Sequence, residues 1–192
     1  MALWFAARAF GLVSLTLLTA VMVLGLLVAG RPRRSYVVTA LHRSLALMSV
    51  ALIALHVATV VLDGYVPVGW IDAVVPFMSS YERFWQGLGT VAIDVLLALV
   101  VTSLLRGRLG PRAWRAVHWL AYLCWPVALV HALGIGTDSV IVMGVAAASV
   151  VAVGVAAVVR LSRGRRTAAR RRPAGSGRGQ EHGRAMVAGG AR

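Results

Sequence analysis

The chain has 192 residues, of which 59% are hydrophobic and 14% charged, and its formal net charge is +14. A mean hydropathy of +0.81 excludes an ordinary soluble domain. The placement of the charge excludes a nucleic-acid binder: ten of the 20 basic residues lie from Arg160 onward, whereas a folded binder spreads them over a soluble face.

Five apolar runs follow in chain order. Each is long enough to cross a hydrocarbon core of roughly 30 Å. The first spans Trp4 to Ala29. It is too long for the apolar region of a typical signal peptide and has no clear small-residue cleavage site, so we read it as a retained helix. The second runs from Tyr36 to Leu62, the third from Trp85 to Leu105, the fourth from Trp114 to Leu133 and the fifth from Ser139 to Val159. The expected fold is all-α: an integral membrane bundle of five transmembrane helices, a short interfacial helix and a disordered basic tail. Residues 1–160 form the membrane domain and residues 161–192 the Arg- and Gly-rich tail.

Charge in the loops sets an expected orientation. Arg31, Arg33 and Arg34 follow the first helix, Arg106, Arg108, Arg112 and Arg115 follow the third, and Arg160, Arg163, Arg165 and Arg166 follow the fifth. The second loop holds Asp63, Asp72, Glu82 and only Arg83, and the fourth holds Asp138. The positive-inside rule then puts the N-terminus outside and the C-terminus in the cytoplasm of a plasma-membrane protein. The second loop is broken by Gly64, Pro67, Gly69 and Pro76 and rich in aromatics from Trp70 to Trp85. It reads as an interfacial helix on the outer face, as an anchor or as a cap over a cofactor. The Gly175–Gly179 stretch looks like a dinucleotide fingerprint, but it has neither the strand nor the helix that such a loop needs.

Histidines carry the chemistry. His182 lies in the tail, but His42 and His56 fall on the second helix and His118 and His131 on the fourth. An ionisable side chain inside a membrane is expensive and points to function. Both helices run in the same direction, so His42 pairs with His118 and His56 with His131. The spacing of 14 in the second helix is about 21 Å of rise and returns to nearly the same face. The spacing of 13 in the fourth leaves the two rings about 140° apart on an ideal helix. Pro126 lies between them, and its kink is the expected means of turning both toward the second helix. Neutral imidazole suits iron, zinc and copper. Zinc usually wants four ligands, and no Cys or carboxylate is expected at either level. Haem iron needs two axial ligands, and a bis-histidine haem transfers electrons. Cys124, the single cysteine, reads as a small buried apolar residue.

Leu41-His42-Arg43-Ser44, Ala54-Leu55-His56-Val57, Trp114-Arg115-Ala116-Val117-His118-Trp119 and His131 resemble the ferric reductase-like transmembrane domain superfamily. That group includes ferric reductases, the membrane half of NADPH oxidases and the haem subunit of the bacterial methionine sulfoxide reductase system. Gly69-Trp70-Ile71-Asp72 and Ser79-Ser80-Tyr81 are similar to short actinobacterial members. The resemblance implies two stacked b-type haems. His42 and His118 would ligate the inner one, and His56 and His131 the outer one. Arg43 and Arg115 would face the inner propionates, with Arg8 and Arg83 at the outer side. Asp94, inside the third helix, is given no catalytic role. The FAD and NAD(P)H domains common in the family are not expected in the short tail. A cytoplasmic flavoprotein, bringing its own flavin, or the quinol pool would therefore supply electrons. The acceptor would be extracytoplasmic, either ferric iron or a partner redox protein. Two other readings compete. One is a haem-containing membrane anchor that recruits a redox partner. The other is a His-lined metal transporter, weakened by the scarcity of intramembrane carboxylates.

Overall fold

A computed structural model describes residues 2–28, 36–136 and 139–171. Seven α-helices are described: α1 (Ala2–Val28), α2 (Tyr36–Asp63), α3 (Trp70–Val74), α4 (Arg83–Leu104), α5 (Pro111–His118), α6 (Ala121–Ile135) and α7 (Ser139–Arg171). There is no strand among the described residues. Five helical stretches are long and apolar enough to cross a membrane, with α5 and α6 together making one of them. The protein is a multi-pass membrane helical bundle.

Helical hydrogen bonds satisfy most of the backbone within the spans, as hydrocarbon demands. Several hydroxyls inside the spans also bond within their own helices. Thr16, Thr19, Ser49 and Thr59 donate to the carbonyls of Leu12, Leu15, Leu45 and Leu55, one turn earlier. Helix ends follow local chemistry. Gly64, at φ +62°, closes α2 in the left-handed conformation that favours glycine. Pro111 opens α5 at its first residue, where the missing N–H costs nothing.

The chain divides into two units, residues 1–157 and 158–192. In the first, α1 packs along α2, α4 packs along α6, and α1 touches α6. Leu15, Leu129 and Ala146 form the buried centre, flanked by Trp125, Ala132 and Val145. Trp125 Nε1 donates to Thr19 Oγ1 at 2.9 Å, and Cys124 Sγ donates to the Ala92 carbonyl at 3.4 Å. These bonds tie α6 to α1 and to α4. The expectation for Cys124 holds: it is 3% exposed.

Two features differ from the sequence reading. The fourth span is broken, and the break lies at Trp119–Leu120, ahead of Pro126, which sits inside α6. The ring of a proline reaches one turn back, here to Tyr122. Around the break the hydrogen bonds tighten to three residues: Leu120 N–H to Val117, Tyr122 N–H to Trp119 and Leu123 N–H to Leu120. That tight winding turns about 120° per residue instead of about 100°. Roughly four such residues cut the offset between His118 and His131 from about 140° to about 60°. The rewinding thus occurs in the expected sense, but next to His118. Second, α7 continues as helix to Arg171, so residues 161–171 are not the disordered chain expected of them. An Arg- and Ala-rich run has high helix propensity, and the preceding span supplies a nucleus. The short interfacial helix expected in the second loop corresponds to the five residues of α3. Arg31, Arg33, Arg34, Asp138, Arg172, the Gly175–Gly179 stretch and His182 lie outside the described residues.

Two glycines serve as notches. A Cβ on Gly134 would collide with the Trp85 indole and one on Gly87 with the Phe77 ring, whereas Gly144 has open space. Gly134→Ala is expected to lower the thermal unfolding midpoint in detergent, at a cost of about 1–3 kcal/mol for overpacking. Gly144→Ala should leave it unchanged or slightly raised. A fluorescence melt of both variants checks this.

Candidate functional site

Two of the four membrane histidines come together. His56, on α2, and His131, on α6, line one cavity of about 240 Å3 inside the first unit. Its walls include Gly11 and Leu15 of α1, Gly89 and Ile93 of α4, and Ala128 of α6. The α2 and α6 helices are not among the closely packed pairs. Space therefore separates the two histidine-bearing helices.

Both rings are held from behind by backbone. His56 Nδ1 lies 2.7 Å from the Ala7 carbonyl, and His131 Nδ1 lies 2.7 Å from the Trp85 carbonyl. A carbonyl oxygen only accepts, so Nδ1 carries the proton and Nε2 keeps its lone pair. Each carbonyl has a glycine four residues later in the same helix: Gly11 after Ala7 and Gly89 after Trp85. Neither leaves room for a side chain. A Cβ on Gly11 would stand 3.1 Å from His56 Cε1 and Nδ1, and one on Gly89 would stand 2.5 Å from His131 Cε1. The missing side chain lets the imidazole reach a carbonyl already engaged within its own helix.

His42 sits in a related place. Gly25 lies opposite it, with an added Cβ 3.7 Å from Cε1. Val21, four residues before Gly25, turns its carbonyl toward the ring, but the bond to Nδ1 is not closed. Gly11 and Gly25 are 14 apart, as are His42 and His56. The antiparallel packing of α1 on α2 brings the two sets into register. His118 is held differently. Its ring stacks on Trp114, with centroids 4.9 Å apart and planes 20° apart. The position of α4 that matches Gly89 in this register is Thr102. Its hydroxyl takes the Ala98 carbonyl at 2.7 Å.

The remaining expected residues divide. Arg8 lines the His56–His131 cavity and lies over the Trp4 ring, 4.6 Å from its centroid. Arg43 is exposed on α2, in a shallow surface groove with Tyr36, Thr39 and Ser44. Arg115 Nε donates back to the Pro111 carbonyl at 3.0 Å. Arg83 is exposed and Asp94 faces outward from the middle of α4. Among the described residues, no three His, Cys, Asp or Glu side chains gather into a metal-binding group.

The loop between α2 and α4 covers the cavity. Val66, Val68, Ala73 and Tyr81 are part of its wall. Asp72 Oδ2 accepts from Gly69 N–H at 2.8 Å, and the Asp72 carbonyl accepts from Thr90 Oγ1 at 2.7 Å. Phe77 adopts φ +64°, a strained value for a bulky residue, with its ring in the Gly87 notch. Trp70, Ile71 and Val74 of the same loop are exposed, so one side of it lines the cavity and the other offers an apolar surface.

The family described as ferric reductase like transmembrane component matches residues 10–129. That is more than half of the 192 residues. The chain belongs to this ferric reductase-like transmembrane family. The match contains His42, His56 and His118 and stops just short of His131, whose place rests on the cavity it shares with His56. No curated protein and no solved structure matches the chain.

A haem is the group that the family implies, and the His56–His131 pair fits it. Two imidazoles on separate helices, each with Nδ1 bonded to protein and Nε2 left for metal, are the donor set of a bis-histidine iron. Apolar walls and an arginine at the edge suit a macrocycle with carboxylate side chains. The sequence reading missed Gly11, Gly25 and Gly89. The 14-residue glycine spacing in the first span, equal to the histidine spacing in the second, was the available signal.

Thr90→Val removes the bond to the Asp72 carbonyl and is expected to cost about 1 kcal/mol. Amide exchange in residues 69–75 should quicken while exchange in α1 stays as it was, read by hydrogen–deuterium exchange in detergent.

Proposed function

We propose that this protein carries electrons across a membrane, with His56 and His131 as the axial ligands of one b-type haem and His42 and His118 as those of a second. The observation that carries the reading is the shared cavity between two imidazoles with their Nδ1 atoms tied to backbone carbonyls. Family membership supports it. A haem held by these histidines would supply one-electron chemistry.

The protein's own residues define the rest. His56 and His131 bind with the nitrogen that their carbonyl partners leave available. The apolar walls and the loop from Val66 to Tyr81 exclude water. Arg8 offers a cation to carboxylates at the cavity edge, and Arg43 does so at the level of His42. The Arg-rich loops support a cytoplasmic His42–His118 level, which would put the N-terminus outside and the C-terminus inside a plasma membrane. Electrons would enter there from a flavoprotein or quinol and leave near the loop that covers the His56–His131 cavity. The acceptor would be ferric iron or an extracytoplasmic redox protein. On this reading the chain is the membrane electron-transfer component of an oxidoreductase.

Purified protein is expected to show a sharp reduced α-band of low-spin haem b and about two haems per chain by pyridine haemochrome assay. His56→Ala should keep one of the two. Haem-free wild-type protein, folded and made with ample haem supply, would remove the proposal and reopen His-lined metal transport.

A further inference from the structure

We infer that Gly11 and Gly89 are positioning residues that set the plane of the His56 and His131 imidazoles, and that Gly25 does not do so for His42. The inference deepens the haem reading and rests on it for the identity of the bound group. It arises from a pattern repeated along α1 and α4: a backbone carbonyl, a glycine four residues later, and a histidine ring laid across the glycine with Nδ1 toward that carbonyl.

The pattern is graded. A side chain on Gly89 would stand 2.5 Å from the His131 ring, one on Gly11 3.1 Å from the His56 ring, and one on Gly25 3.7 Å from the His42 ring. The first distance forces a displacement. The second requires the ring to yield by a few tenths of an ångström, and the third is ordinary contact. The hydrogen bonds follow the same order. They are closed at His131 and His56 and open at His42. In hydrocarbon, an imidazole pushed off its carbonyl finds no water to replace it. It must rotate to another acceptor or leave Nδ1–H unsatisfied. Rotation about the Cβ–Cγ bond turns the ring plane, and a lost bond weakens the donation of Nε2 to a metal. The two closed seats share one cavity. Both effects therefore fall on one haem of two, and the other acts as an internal reference.

The test uses the full chain, purified with haem, as wild type and as Gly89→Ala, Gly11→Ala and Gly25→Ala. Low-temperature EPR of the ferric protein reads the relative planes of the axial imidazoles through the largest g value. Gly89→Ala is expected to shift or abolish one of two low-spin signals, with loss of at most one haem in two, and to leave the other in place. Gly11→Ala should shift the same signal by less. Gly25→Ala should match wild type. The inference is overturned if Gly89→Ala and Gly11→Ala both retain wild-type spectra, or if Gly25→Ala shifts a signal as far as they do. Should Gly89→Ala fail to accumulate, the comparison of Gly11→Ala with Gly25→Ala decides. 15N spectra of selectively labelled histidine, taken on reduced samples, read the Nδ1–H tautomer without reference to haem content. If wild type binds no haem, the functional reading fails, while retention of that tautomer in wild type and its loss in Gly89→Ala would still support the seats. An unchanged tautomer would sink them as well.

Discussion

A neutral imidazole inside a bilayer needs an acceptor for its N–H. That requirement organises this molecule. Hydrocarbon offers no water, and the hydroxyls of Thr19, Ser49 and Thr102 are spent on carbonyls of their own helices. The acceptor that His56 and His131 take is the second lone pair of a helix carbonyl. It is reachable only where the next turn carries no side chain. Hence α1, which bears no histidine, lies along α2 with Gly11 opposite His56, and α4 lies along α6 with Gly89 opposite His131. The helices are paired so that a backbone stands behind each ring, and the cavity opens in front.

Other features follow from that pairing. Since α1 supports α2 and α4 supports α6, the contact between α1 and α6 joins the two pairs. The Trp125–Thr19 bond and the Leu15–Leu129 packing supply it. Trp85 serves twice. Its carbonyl accepts from His131, and its indole fills the Gly134 notch one turn along α6. Displacing that side chain disturbs the His131 imidazole even though it never touches the front of the ring. The covering loop is fixed to α4 by Thr90 and Phe77, the helix that also supports His131.

Much of this was legible in the sequence. Five apolar runs gave five spans, because hydropathy alone decides what can cross hydrocarbon. The histidine pairing of His56 with His131 was legible from direction and spacing. What was not legible depended on atoms rather than classes. A glycine in a membrane helix is common enough to pass for ordinary packing, so Gly89 gave no sign of what lay against it, and Gly11 only its 14-residue spacing from Gly25. The rewinding was assigned to Pro126 because proline is the usual cause. The actual turn at Trp119–Leu120 contains no breaker, and only its shortened hydrogen bonds mark it. The end of the last helix was misjudged because charge was read as disorder, although arginine and alanine are good helix formers.

The tight turn beside His118 has a consequence for how this segment can vary. Between His118 and His131 the side chains face several neighbours, and many substitutions preserve the winding. Adding or deleting one residue does not. It would swing one imidazole about 100° relative to the other and carry it off its helix face. The number of residues in this stretch therefore matters more to the geometry than their identity. It acts as a spacer whose phase, not its chemistry, sets how the two imidazoles are turned relative to each other.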